Sequence, residues 1–196
     1  MELTSVLLDW EKAFDKIDQE RLIIALRRMG IPSKVIDIIK ALYEKPNFAI
    51  KDGKKISRRR RQRAGIRQGC PLSPYLFGIL MTVIMKDVED SLNEQEKNLV
   101  EAGRPDTGIN KLFYADDTIL MTTTVHAMEC LLHAIERESA KYNMKLNKQK
   151  CVVINMNEVH RIEYADGTLV PTQNKATYLG GIVTKKSEYK PELNQI

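Results

Sequence analysis

Residues 113–120, Phe-Tyr-Ala-Asp-Asp-Thr-Ile-Leu, set two carboxylates side by side between β-prone runs. The flanks, Gly108 to Tyr114 and Thr118 to Thr123, read as strands, which puts Asp116 and Asp117 at a hairpin tip. Adjacent like charges repel, and burying them requires a neutralising cation. Oxygen-only ligands at one turn suit Mg²⁺, which takes one or two carboxylates and leaves its other positions to water and substrate phosphates. For the dipeptide alone a solvated turn is the competing reading, since turns favour Asp.

The rest of the chain supplies a matching carboxylate. Residues 3–9, Leu-Thr-Ser-Val-Leu-Leu-Asp, read as a buried strand ending in Asp9. A strand end both places and exposes its side chain, as a metal ligand requires. A strand-ending Asp that caps the next turn is the alternative. Asp18 is a candidate N-cap for a helix through about Met29, with Leu22, Leu26 and Met29 on one face and Gly30 as its stop. Pro32 opens a second helix with Val35, Ile36, Ile39, Leu42 and Tyr43 at core-facing spacing. Residues 47–66 read as a strand pair turned at Asp52-Gly53. The stretch Gly65-Ile-Arg-Gln-Gly-Cys-Pro-Leu-Ser-Pro74 follows, in which Gly69 permits close backbone approach and Gln68 offers both a donor and an acceptor. Ser73 as N-cap and Pro74 as first helical residue predict a helix to about Leu92, with Leu76, Phe77, Leu80, Met81, Ile84 and Val88 inward. Residues 93–107 read as a surface connection. Ala127 to about Tyr142 is a further helix, with Met128, Leu131, Leu132 and Ile135 inward. Cys151 to Ile154 is a strand, Asp166-Gly167 turns a hairpin, and Tyr178 to Val183 is a last strand. The polar tail, 186–196, closes the chain after one domain over 1–185.

Charge is concentrated. Residues 54–67 hold Lys54, Lys55, Arg58, Arg59, Arg60, Arg61, Arg63 and Arg67 and no acid. Without these eight, the formal net charge of +5 becomes negative. A local cationic excess suits contact with a polyanion. Solvated edge protection and a nuclear-localisation patch are the other readings of such a run. Cys70, Cys130 and Cys151 form no Cys-x-x-Cys pair, and the three histidines add no metal-ligand spacing, which suits a reduced intracellular compartment. No apolar run reaches the length of a membrane span, so no membrane partner is expected.

Five segments carry a resemblance: Leu8-Asp-Trp-Glu-Lys-Ala-Phe-Asp15, Arg67-Gln-Gly-Cys-Pro-Leu-Ser-Pro74, Phe113-Tyr-Ala-Asp-Asp-Thr118, Leu146-Asn-Lys-Gln-Lys-Cys151 and Tyr178-Leu-Gly-Gly181. In this order the chain resembles the palm of reverse transcriptases, above all the non-LTR (LINE-type) retrotransposon enzymes, whose polymerase motifs are lettered A to E. Five motifs in order are far more specific than any one.

The resemblance implies an α+β polymerase palm, an antiparallel sheet packed on helices, with part of the fingers/palm connection. It implies RNA-directed DNA synthesis from dNTP on an RNA template and DNA primer. Asp9 and Asp116 would share two Mg²⁺ ions, or Mn²⁺, with Asp117 supporting and the Trp10 carbonyl adding a ligand. Phe14 matches the steric gate against a ribose 2′-hydroxyl. Arg67, Gln68, Gly69 and Tyr114 would lie near the incoming nucleotide or primer end. Lys150, or else Lys148, would protonate pyrophosphate. Tyr178, Leu179, Gly180 and Gly181 resemble the primer grip, while Arg58, Arg60 and Arg61 would follow a nucleic-acid backbone. The family's N-terminal fingers strands and its thumb fall outside this sequence. Such a protein would be intracellular and, as part of an active retroelement, would work in the cytoplasm and nucleus. An inactive or domesticated palm that binds RNA or a protein is the alternative. An RNA-dependent RNA polymerase is a further one, opposed by Phe14 and by Tyr-Ala before the Asp pair.

Overall fold

The computed structural model describes residues 3–44, 47–62, 64–156 and 160–184. The expected polar tail at 186–196, and Arg63 of the basic run, lie outside the described residues. The strands are β1 (Thr4–Leu8), β2 (Asn47–Phe48), β3 (Lys51–Asp52), β4 (Lys55–Ile56), β5 (Arg60–Arg61), β6 (Lys111–Tyr114), β7 (Asp117–Thr122), β8 (Val152–Asn155), β9 (Lys175–Tyr178) and β10 (Gly181–Thr184). The helices are α1 (Ala13–Lys16), α2 (Gln19–Arg28), α3 (Ser33–Glu44), α4 (Ser73–Ser91), α5 (Glu94–Ala102) and α6 (Val125–Ala140). The chain is α+β and divides into two compact units.

The first unit, Met1–Asp9, Leu92–Ala134 and Leu146–Ile196, is built on an antiparallel sheet of order β6-β7-β1-β8. All five residues of β1 are buried. Its apolar residues Val6, Leu7 and Leu8 therefore follow one another rather than alternating, and Thr4 and Ser5 are buried polar residues. Leu7 lies opposite Ile119 and Val152, so these side chains share one face and, with Ile154, form a buried cluster. Each such burial contributes about 1.5–3 kcal/mol. Ala176, Tyr178 and Val183 of β9 and β10 pack on that cluster. Val6, Leu8, Leu120 and Val153, on the other face, are buried as well.

Three expectations change in this unit. Residues 94–102 form α5 rather than a loop. Asn93 accepts from the Glu96 amide and Glu96 returns a bond to the Asn93 amide, a full capping box. The last strand is instead the β9–β10 hairpin, turned at Leu179 (φ +52°) and Gly180 (φ +78°). Two successive left-handed residues match the right-handed twist of flanking strands, and the second glycine of the pair then opens β10. The Asp166-Gly167 turn forms, but its flanks meet only at the Glu163–Leu169 bridge and its neighbouring bonds.

The second unit, Trp10–Ser91 and Ile135–Lys145, is helical with a basic hairpin. Asp18 caps α2 by accepting from the amides of Glu20 and Arg21, and Leu22 and Leu26 are fully buried. α2 packs on α3 and α4. The six residues predicted to face inward from α4 are all buried. Ser73 is inside this helix rather than capping it, and its hydroxyl donates to the Arg67 carbonyl at 2.5 Å. Met29, Val35 and Leu42 are exposed, against expectation. The apolar arc of α3 is wider than its buried face, which is Ile36, Ile39 and Tyr43. Arg28 grips Asp87 with both terminal nitrogens, and the Tyr142 hydroxyl donates to the same carboxylate at 2.7 Å. This pulls the Asp87 carboxyl below its ordinary range, the Arg28 hydrogen bond first among the causes.

Candidate active site

In the first unit the strand register brings the carboxylates to one sheet end. Tyr114 pairs with Asp117, which leaves a two-residue turn, Ala115-Asp116, with Ala115 at φ +52°. A non-glycine residue there is strained, and such strain is characteristic of functional turns. Leu8 pairs with Thr118, so the next step along β1 sets Asp9 level with Asp117. Partial desolvation, then Asp116, then Asp9, lifts the Asp117 carboxyl above its ordinary value. Asp117 therefore feels both other carboxylates across the tip of the sheet. Among the described residues no three carboxylate, imidazole or thiol groups stand ready to hold a metal ion. A carboxylate pair completed by water and substrate phosphate is the arrangement Mg²⁺ favours, and the donor set here fits it.

The turn after Met144 holds Asp9 from behind. The Asn147 amide donates to the Asp9 carbonyl at 2.8 Å, and the Asp9 amide donates to the Cys151 sulfur at 3.4 Å. Lys150 carries its ammonium to 4.0 Å from the Asp9 carboxylate. Lys148 points elsewhere, to Asp166 at 2.8 Å and over the Tyr164 ring at 4.5 Å. The two lysines that sequence leaves equivalent are thus separated. Tyr178 half-buries its ring on the sheet; burial and then Asp117 push its phenol up. Leu179 and Gly180 form the exposed turn beyond it, and Tyr114 is 66% exposed on β6.

In the second unit the Gln68 loop is stitched to α1. The Gly65 amide donates to the Ile17 carbonyl and the Ile66 amide to the Phe14 carbonyl, both at 2.7 Å. Gly65 has φ +81°, and a Cβ there would sit 2.5 Å from the Asp15 carbonyl oxygen. Only glycine fits, a requirement the sequence signals by the residue alone. Phe14 stacks on the buried Phe77, ring centroids 4.8 Å apart, so the candidate gate ring is held flat and half-buried. Gln68 donates to Asp15 at 3.1 Å. Gly69, at φ +79°, has nothing within 4 Å of a built Cβ, so its backbone is open to a ligand. The Trp10 ring is buried, so any ligand contact from this residue comes from its backbone.

The basic stretch is a ladder of two fragments. β2 pairs with β5 and β3 with β4, turning at Gly53-Lys54, one residue beyond the expected tip. Residues 47–61 are exposed throughout. Arg61 and Arg67 also brace α3, since each donates to a carbonyl at the end of that helix, Glu44 and Leu42 respectively, at 3.0 Å. Cations there satisfy orphan carbonyls and oppose the helix dipole. A cavity of about 740 Å³ is lined by Asp15, Phe48, Arg61, Arg67 and Gln68 among others. No helix among the described residues is long and apolar enough to cross a membrane.

Residues 2–183 match the family model described as reverse transcriptase (RNA-dependent DNA polymerase). The chain is 30% identical, over 145 residues, to the Pol polyprotein of the type-1 retrotransposable element R2 of Nasonia vitripennis, covering 74% of this chain and 13% of the relative. It is 22% identical over 201 residues to the RNA-directed DNA polymerase from the mobile element jockey of Drosophila melanogaster, covering 96% of this chain and 20% of the relative. The chain therefore spans a fifth or less of either relative's length. Among solved structures, apo telomerase from Candida tropicalis, truncated from its C-terminal domain, superposes with a TM-score of 0.67 at 20% identity, over 93% of this chain and 34% of that one. That likeness is one of fold. The chain belongs to the reverse transcriptase family, as a domain of the non-LTR retrotransposon type.

Proposed function

We propose that this domain is the catalytic palm of an RNA-directed DNA polymerase, adding dNTP to a primer 3′-hydroxyl on an RNA template. The observation that carries this is the gathering of Asp9, Asp116 and Asp117 at one sheet end, where Asp117 responds to both neighbours. The names of the relatives support the reaction, since the jockey protein is called an RNA-directed DNA polymerase. Asp9 and Asp116 would hold divalent ions, Mg²⁺ or Mn²⁺, with Asp117 adding negative potential. When bound, such ions activate the attacking oxygen and stabilise the leaving one.

The remaining residues position the substrates, which is most of what phosphoryl transfer needs. Lys150, beside Asp9, donates a proton to departing pyrophosphate. Phe14, stacked on Phe77, presents a ring edge that excludes a ribose 2′-hydroxyl. Gln68, oriented by Asp15, hydrogen-bonds the incoming nucleotide, and Arg67 and the open Gly69 backbone lie alongside it. Arg58, Arg60 and Arg61 follow template or primer phosphates, and Tyr178 to Gly181 support the primer end.

The test is primer extension on an RNA template by a longer polypeptide that includes the segments flanking this domain. The wild type should extend with dNTP, and Asp116→Asn should not, with melting temperature retained. Phe14→Val should raise rNTP incorporation relative to dNTP. Extension that survives Asp116→Asn, or absence of extension by the folded wild type, overturns the proposal.

A further inference from the structure

The turn that carries Lys150 is held from two sides. On one side it grips Asp9, through the Asn147 amide and the Cys151 sulfur. Internally it is closed by the Lys150 and Cys151 amides, which both donate to the Asn147 carbonyl, at 2.9 and 3.1 Å. On the other side it is tied down by Lys148. The Lys148 ammonium is 2.8 Å from an Asp166 carboxylate oxygen and 4.5 Å from the centroid of Tyr164, which is 1% exposed. The Tyr164 hydroxyl donates back to the Lys148 carbonyl at 3.4 Å.

The anchor is itself prepared. The Thr168 hydroxyl donates to Asp166 at 2.6 Å and the Thr168 amide at 3.1 Å, which fixes the carboxylate before Lys148 arrives. The Gly167 amide donates to the Tyr164 carbonyl at 2.9 Å, which locks ring and carboxylate into one turn. A surface ion pair alone contributes little, because both side chains lose freedom. Here one partner is pre-organised and the cation also covers an aromatic face. Lys148 and Lys150 are two residues apart in one hydrogen-bonded turn.

We infer that Lys148 is a positioning residue: clamped by Asp166 and Tyr164, it holds the 147–151 turn so that Lys150 stands over Asp9. The inference rests on the catalytic reading of Lys150 given above. It gives neighbouring lysines separate roles, one to hold and one to react.

The experiment compares Lys148→Met, Lys148→Arg, Asp166→Asn and Lys150→Met. Single-nucleotide addition is measured in the longer polypeptide, with kcat and KM separated. Amide hydrogen exchange of Asn147 is measured in the 196-residue chain. Lys148→Met and Asp166→Asn should lower kcat about three- to tenfold and leave KM for dNTP within about twofold. Lys148→Arg should restore most of kcat, since a guanidinium keeps both the ion pair and the ring contact. Asn147 should exchange faster in Lys148→Met and unchanged in Lys150→Met. Adding Lys148→Met to Lys150→Met should cost no further kcat.

Lys148→Arg as inactive as Lys148→Met would overturn the inference, because arginine does not serve as a proton donor. Unchanged Asn147 exchange in Lys148→Met would overturn it too. If Lys150→Met leaves kcat intact, the catalytic reading of Lys150 fails, and the exchange measurement still decides whether Lys148 anchors the turn.

Discussion

Asp9 and Arg60 both belong to short β segments, but different forces fix them. Asp9 ends a strand paired on both sides, buried along its length, with its own amide and carbonyl bonded to the 147–151 turn. Arg60 lies in a two-residue strand with one partner, in a stretch where every residue is exposed. A carboxylate proposed to meet a metal has to be placed to a fraction of an ångström, and the doubly paired strand with its two backbone bonds does that while the side chain stays 41% exposed. A cation that neutralises a phosphate backbone needs the right charge and reach more than a fixed position. Under the proposed roles, the two regions match those two tolerances.

The comparison breaks most clearly at the carboxylates. Asp9→Asn should reduce nucleotide addition about 10³-fold or more, the scale of losing a charge-stabilising group at the reacting centre. Its melting temperature should stay near wild type. Loss of the same size from neutralising the arginines of 58–61 would mean both regions are built to the tighter tolerance.

Backbone substitution sharpens the contrast between enclosed and open positions. Gly65→Ala meets a positive φ and the Asp15 carbonyl at 2.5 Å, and should destabilise by about 2–4 kcal/mol in urea unfolding. Gly53→Ala at the hairpin tip also has positive φ, +56°, but nothing within 4 Å, and should cost about 1–2 kcal/mol. Equal losses would remove packing as the distinction.

The Arg28–Asp87–Tyr142 clamp supplies a pH test inside the helical unit. Arg28 lowers the Asp87 carboxyl in the folded state, so its contribution is present above the unfolded value and lost as pH falls through the folded one. Stability measured by denaturant should therefore fall on acidification below about pH 4, by roughly 1–3 kcal/mol from this group. Asp87→Asn should be less stable at neutral pH and should lose that part of the acid dependence.

The smallest effect on folding is expected in the basic hairpin. Replacing Arg58, Arg60 and Arg61 together by Gln should change stability by less than about 1 kcal/mol, most of it from the Arg61 bond to α3. It should nevertheless flatten the log K versus log salt slope for a template–primer duplex by about two to three units. Affinity should drop for all sequences alike. An unchanged slope would take the hairpin off the nucleic-acid surface.

Much of this arrangement is legible in the residues. The run Leu3 to Asp9 reads as a buried strand, and the β-prone flanks around Asp116-Asp117 read as a hairpin turning there. What escaped was local and specific. The polar composition of 93–107 outweighs one capping pair, Asn93 with Glu96, although that pair is the helix signal. Leu179 in a left-handed conformation has no sequence warning beyond the glycines after it, so a hairpin reads as one strand. Met29, Val35 and Leu42 have the right spacing for a core, and spacing cannot say how wide the buried arc is. At the site, residue types indicated the carboxylates, and the family resemblance added a lysine, Lys150 or else Lys148. Only side-chain geometry distinguishes Lys150, beside Asp9, from Lys148, bound to Asp166.

The central claim is that Asp9 and Asp116 act together on a divalent cation. Mn²⁺ titration of the chain in the presence of dNTP, followed by electron paramagnetic resonance, tests it directly. Bound Mn²⁺ is predicted in the wild type, with its loss in both Asp9→Asn and Asp116→Asn, while Asp166→Asn binds as the wild type does. Undiminished binding in either of the first two variants would contradict it.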